Sequence, residues 1–109
     1  MSPRSALARA APVFAALGEK TRLALVDRLS AGGPLSIVQL SSGAAVTRQA
    51  ITKHLQVLTD AGLVHDVRRG RERIFELEDA RLDEARRCLD QISQRWDEAL
   101  DRLRRLVET

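Results

Sequence analysis

The sequence predicts a mainly α-helical protein carrying one small β-hairpin, and three observations predict it. Apolar residues recur at three- and four-residue spacing through residues 5 to 61. The period then shortens to two Val/Ile/Phe-rich runs between residues 63 and 77. Helical spacing returns at Ala80 and holds to Val107. At 109 residues the chain is expected to form one domain over 1–109, large enough for one modest core. Charged residues make up 30% of it and no apolar run approaches the roughly 20 residues of a membrane span, so no membrane partner is expected. The opening MSPRSALARAAP lacks the continuous apolar core of a signal peptide, which predicts a cytoplasmic protein. A single cysteine, Cys88, excludes an internal disulfide framework and a thiolate metal cluster within one chain.

The net charge of +3 is small, and its placement carries more information than its size. Residues 1–77 hold 11 Lys/Arg against 6 Asp/Glu, whereas residues 78–109 hold 7 against 9. A basic front and a slightly acidic tail fit a nucleic-acid-binding head joined to a segment with another task.

Taken in order, residues 5–17 predict a first helix with Leu7, Val13, Phe14 and Leu17 as its apolar positions. Pro12 requires that this helix begin near Ala11 or kink there. A second helix follows Gly18, with Leu23, Val26 and Leu29 as its buried stripe and Arg22 and Arg28 outside, and Gly32, Gly33 and Pro34 end it. Ser36 caps a short third helix to about Ser42, with Ile37, Leu40 and Val38 inward, and a turn of Gly43 to Val46 follows.

The next stretch, TRQAITKHLQVLTDAG, organises the rest. Thr47 is a good N-cap and Gly62 a good left-handed stop. Between them Ile51, Leu55 and Leu58 turn inward, leaving Arg48, Gln49, Thr52, Lys53 and Gln56 outside. Arg and Lys can read guanine edges, Gln adenine, and the Thr methyl thymine, all in the major groove. Short helix, Gly-containing turn and polar-faced helix make a helix-turn-helix over residues 36–62. The β-type runs Leu63–Arg69 and Arg73–Leu77 meet at Gly70 with Arg71 and Glu72. This puts Arg68, Arg69, Arg71 and Arg73 around one hairpin tip, where phosphate or minor-groove contact is expected.

From Ala80 to Val107 the positions Leu82, Ala85, Leu89, Ile92, Trp96, Ala99, Leu103 and Leu106 alternate steps of three and four. They draw one apolar seam along a helix of about 40 Å. No element of the chain is long enough to cover it, so a second copy is the economical partner and Trp96 is read as seam rather than ligand site. Cys88 flanks the seam beside Leu89. An inert, half-buried thiol is the favoured reading, and oxidation across a dimer axis the alternative.

With these elements in place the chain resembles the ArsR family of winged helix-turn-helix repressors over nearly its whole length. FAALGEKTRLALVDRLSAGGPLSIVQL is similar to the family's second and third helices. VTRQAITKHLQVLTDAGLV is similar to its recognition helix, with the S/T-x-x-x-I/V-S/T-x-H-L pattern, and RRGRERIFEL resembles its wing, residues 63–77. Gly18-Glu19-Lys20 departs from the Asp and Pro of many members, which leaves the start of the second helix open. The resemblance implies a winged helix-turn-helix with a long C-terminal dimerisation helix at 80–107. It also implies a homodimer that contacts operator DNA through Thr47, Arg48, Gln49, Thr52 and Lys53, with the wing arginines on flanking backbone. Arg48, Gln49 and Thr52 are the expected base readers. His54 is placed at or near a phosphate, with a hydrogen-bonded packing role as the alternative. The family's metal sites do not carry over: Ile37-Val38-Gln39-Leu40 stands where a Cys-x-Cys run would be, and the terminal helix has no histidine. QRWDEALDRLRRL resembles a subgroup without those sites. No metal and no cofactor are therefore expected.

The predicted function is a sequence-specific transcriptional repressor that binds double-stranded DNA as a homodimer on a pseudo-palindromic operator. The alternatives are a heptad-helix interaction module and a redox-responsive regulator sensing through Cys88. An unidentified small-molecule inducer stays open. An enzyme is not expected, because no phosphate-cradling loop, dinucleotide fingerprint or Cys–His pairing is present. Single-stranded RNA is disfavoured because Phe14, Phe75 and Trp96 all fall at expected core or seam positions.

Overall fold

Small residues decide how the first helix packs. In the computed structural model, which describes residues 3–108, α1 spans Pro3–Leu17 and buries Ala10, Val13 and Ala16. Leu7 and Phe14 are left at the surface, against the expectation that both would be apolar contacts. The helix runs through Pro12 instead of starting near Ala11. Pro12 and Ala8, whose carbonyl loses its helical partner there, both lie on the exposed side of the helix, where the freed oxygen is not forced into the core. Residues 1, 2 and 109, part of the single-domain expectation, lie outside the described residues.

Helix α2 (Lys20–Gly32) is capped by Glu19, whose carboxylate accepts the Arg22 N–H at 2.9 Å. The Gly18-Glu19-Lys20 departure thus supplies its own cap. The buried positions are Leu25, Val26 and Leu29, while Leu23 is 53% exposed, so the core-facing stripe is rotated from the one expected. Gly33, at φ 72°, ends the helix in a conformation that costs other residues a steric penalty.

A two-residue strand β1 (Leu35–Ser36) leads into α3 (Ile37–Ser41). Ser36 and Gln39 form a reciprocal capping box, the side chain of each accepting the other's backbone N–H at 3.1 and 2.9 Å. Leu40 is fully buried and Val38 is exposed, which corrects its inward placement. Helix α4 (Arg48–Asp60) follows, then β2 (Val64–Arg69) and β3 (Glu72–Leu77). The hairpin is joined by β1 into an antiparallel sheet ordered β1-β3-β2, with Leu35 opposite Phe75 and Val64 opposite Leu77. β1 was not foreseen, since two residues carry no period. Its pairing with Ile74 and Phe75 ties the start of the helix-turn-helix to the middle of β3.

The core gathers Val13, Leu25, Leu29, Leu40, Ile51, Leu55, Leu58, Leu63 and Phe75, so all the short elements converge on the inner face of α4. Helix α5 (Asp79–Glu108), 30 residues or about 45 Å, packs its first turns against α1 and then runs on past it. The result is an elongated chain of 67 × 32 × 20 Å. Ala85 belongs to the core and Leu82 packs on it, so these two seam positions are satisfied within the chain. Leu89, Trp96, Leu103 and Leu106 are exposed, with Leu100 and Val107 beside them. No helix among the described residues is long and apolar enough to cross a membrane.

Candidate nucleic-acid interface

Helix α4 is held firmly at both ends. The Thr47 hydroxyl accepts the Ala50 N–H at 3.1 Å, as an N-cap should. At the other end the Leu63 N–H donates to Leu58 and the Gly62 N–H to Thr59, both at 3.0 Å, with Gly62 at φ 77°. This is the Schellman arrangement, which satisfies the last carbonyls and turns the chain into the wing.

The outer surface of α4 divides into two rows set by the four-residue repeat. Arg48 and Thr52 lean toward the wing, and Gln49, Lys53 and Gln56 lie beyond them, fully outward and exposed. Two of these side chains are already engaged. The Thr52 hydroxyl donates back to the Arg48 carbonyl at 2.9 Å, leaving its methyl to face a partner. The Gln56 amide donates to Asp60 at 2.9 Å.

His54 faces the opposite flank. Its Nδ1 lies 3.4 Å from the Arg22 guanidinium and 3.6 Å from the Glu19 carboxylate, so the ring packs α4 against the start of α2. Glu19 is held below the usual carboxylate range, chiefly by the N–H groups of Arg22 and Thr21 and with help from His54 and Arg22. Arg22, expected on the outside of α2, turns inward and donates to the Ala16 carbonyl at 2.7 Å. Arg28 forks onto the carbonyls of Leu40 and Gln39, both at 2.9 Å. Each closes a helix C-terminus whose carbonyls lack helical partners. The signal that would have found them is the shortage of donors at the ends of α1 and α3.

In the wing, Gly70 at φ 63° opens a two-residue turn with Arg71, the II′ pattern that matches the twist of a hairpin. The register places Arg68 directly opposite Arg73 and Arg69 opposite Glu72. Like charges facing each other are unfavourable, and Arg73 is relieved by Asp66 at 3.0 Å and by stacking 5.2 Å over the Phe75 ring. Arg73 is therefore occupied inside the wing. Arg68, Arg69 and Arg71 are exposed at its tip. His65 sits at the base of the wing against Glu78, with Glu76 at 3.9 Å, far along the strand from the tip.

Between the first turn of α4 and the wing runs a groove of about 310 Å³, lined by Arg48 and Thr52 on one wall and Arg68, Arg71 and Arg73 on the other. Ile37 and Val38 contribute an apolar stretch. Of the residues read from the sequence, the structure brings together Arg48, Thr52, Arg68, Arg71 and Arg73. It sets Gln49, Lys53 and Gln56 beside them and keeps His54 and Arg69 apart.

A three-element helix-turn-helix followed by an arginine-tipped hairpin and a long terminal helix defines the winged helix-turn-helix class. A family model for a helix-turn-helix domain matches residues 17–67. The chain is 37% identical over 94 residues to the HTH-type transcriptional regulator Rv2034 of Mycobacterium tuberculosis, covering 86% of this chain and 84% of that one. Among solved structures it is similar to an ArsR-like transcriptional regulator from Rhodococcus sp. RHA1, with a TM-score of 0.76 and 36% identity over 91% of this chain and 92% of that one. It is also similar to the homodimeric winged helix-turn-helix DNA-binding domain of Mb0332 from Mycobacterium bovis, with a TM-score of 0.64 and 26% identity over 84% and 82% of the two chains. The chain belongs to the ArsR family of winged helix-turn-helix transcriptional regulators.

Proposed function

We propose that the protein is a cytoplasmic, homodimeric transcriptional repressor that binds a pseudo-palindromic operator in double-stranded DNA. Two recognition helices would enter successive major grooves about 34 Å apart and occlude a promoter. The observation that carries this reading is the outer face of α4, where Arg48, Gln49 and Lys53 stand exposed with no protein partner among the described residues while the inner face is locked into the core. Twofold pairing is supported by the apolar face of α5 beyond Cys88 and by the homodimeric state of the Mycobacterium bovis neighbour.

Of the other readings, sensing through Cys88 is disfavoured because the thiol is 7% exposed and lies under α1, away from the uncovered face where two copies would meet. A pure interaction module leaves the unpaired cationic face of α4 without a purpose.

The test is selection of bound duplexes from a random pool, with sedimentation of the same protein. Enriched inverted repeats whose half-sites lie about one helical turn apart, bound by a dimer, are the expected result. Enrichment of no sequence, or tight binding to an inverted repeat by a species that sediments as one chain, would overturn the proposal.

A further inference from the structure

We infer that Arg48 serves the DNA backbone and not a base edge: the groove between α4 and the wing seats one phosphodiester group, gripped by Arg48 from the helix and by Arg68 and Arg71 from the hairpin. This rests on the duplex-binding reading above and reassigns one of its expected base readers.

The groove holds three guanidinium groups, from Arg48, Arg68 and Arg71, that no carboxylate of the described residues neutralises. The fourth arginine of the lining, Arg73, is already paired with Asp66. The only carboxylate in the lining is Glu72, opposite Arg69 in the strand register; even if it offsets one charge, the three guanidinium groups leave the groove a net positive site. Three like charges around one cleft repel each other, and an anion between them converts that repulsion into charge-assisted hydrogen bonds. A guanidinium fork matches a phosphate's oxygens two at a time, and the apolar wall of Ile37 and Val38 keeps water from screening the contact on one side.

Position decides against a base edge. Arg48 is in the row of α4 that leans toward the wing, whereas the residues facing straight out are Gln49 and Lys53. To reach a base, Arg48 would have to leave the groove and strand Arg68 and Arg71 on a common anion. Seated there, one phosphate links the recognition helix to the wing and sets how deeply α4 enters the major groove, and Gln49 and Lys53 read the sequence.

The experiment compares wild type, R48A, R48K and R71A on the selected operator and on a scrambled duplex of equal length, titrated between about 50 and 200 mM salt. A melting temperature equal to wild type for each variant establishes that it is folded. The expected result is that R48A weakens both duplexes by the same factor, about tenfold, and reduces the salt slope by about one. R48K retains the slope and loses only part of the affinity. R48A and R71A combined cost less than the product of the two, because both act on one phosphate. A random-pool selection with R48A returns the wild-type consensus. Loss of preference at one base position with an unchanged salt slope would make Arg48 a base reader and overturn this inference alone, as would full additivity with R71A. Failure of wild type to bind any duplex would remove the proposed function as well.

Discussion

The two halves of α5 carry the same sequence pattern and meet opposite fates. In residues 79–88, Leu82, Ala85 and Cys88 lie against α1 and the core, Arg81 covers Gly62, and Glu84 pairs with Arg9 at 3.0 Å. In residues 89–108, Leu89, Trp96, Leu103 and Leu106 recur at the same spacing but stand largely open to solvent; Trp96 is 65% exposed and Leu106 74%. The proximal half belongs to the reading head, and the distal half is an uncovered apolar face. A heptad therefore says that a face will be buried without saying by what. Where intramolecular cover stops is decided by how α1, described from Pro3, packs on the first turns of α5 while α5 continues past it.

That contrast can be broken by substitution, and the largest effect is expected in the proximal half. Ala85→Asp puts an unpaired carboxylate into the core and should cost about 3 kcal/mol or more, read as a collapse of the denaturant midpoint. Trp96→Asp together with Leu103→Asp in the distal half should leave the helical signal of the chain intact but weaken self-association at least a hundredfold, about 2.7 kcal/mol, in sedimentation equilibrium. If both variants lost only folding stability, or both only association, the division of α5 would be wrong.

Two smaller effects sharpen the proximal side. Gly62→Ala forces a side chain into a φ 77° conformation, and its methyl carbon would sit 2.9 Å from the Arg81 side chain. It should cost about 1 to 2 kcal/mol in thermal unfolding without changing association. The smallest effect is electrostatic. Arg9 holds the Glu84 carboxyl below its usual range, chiefly through a hydrogen bond and also through its charge. A carboxylate lowered in the folded state favours folding above its ordinary titration range, and that contribution fades as pH falls through the lowered value. Glu84→Gln should thus flatten the acid side of the stability profile by lowering stability slightly at neutral pH and leaving it unchanged at acid pH, the loss being small because the pair is half-exposed.

Much of the recognition unit is legible in the sequence. The cap at Thr47, the stop at Gly62, the buried Ile51, Leu55 and Leu58 and the hairpin turn at Gly70 are local devices, each set by a residue's own backbone preference or by the period of its neighbours. Leu23 was misjudged because α2 offers two adjacent apolar rows, Leu23 with Val26 and Leu25 with Leu29, and spacing alone does not choose between them. Arg22 and Arg28 read as solvent-facing because their partners are backbone carbonyls of other helices, and the shortage of donors at those helix ends does not say which side chain will supply them. The same holds for Arg73, whose tie to Asp66 depends on strand register.

From its residues alone the chain determined the order and type of its main helices and of the hairpin, the cap and stop of the recognition helix, and which family it joins, because capping, glycine turns and periodicity act over a few residues. Tertiary structure alone decided which of its many arginines are consumed inside the fold and which stand free around one groove. It also decided where along α5 the protein's own cover runs out. Both depend on distances between residues far apart in the chain, and no local pattern encodes those.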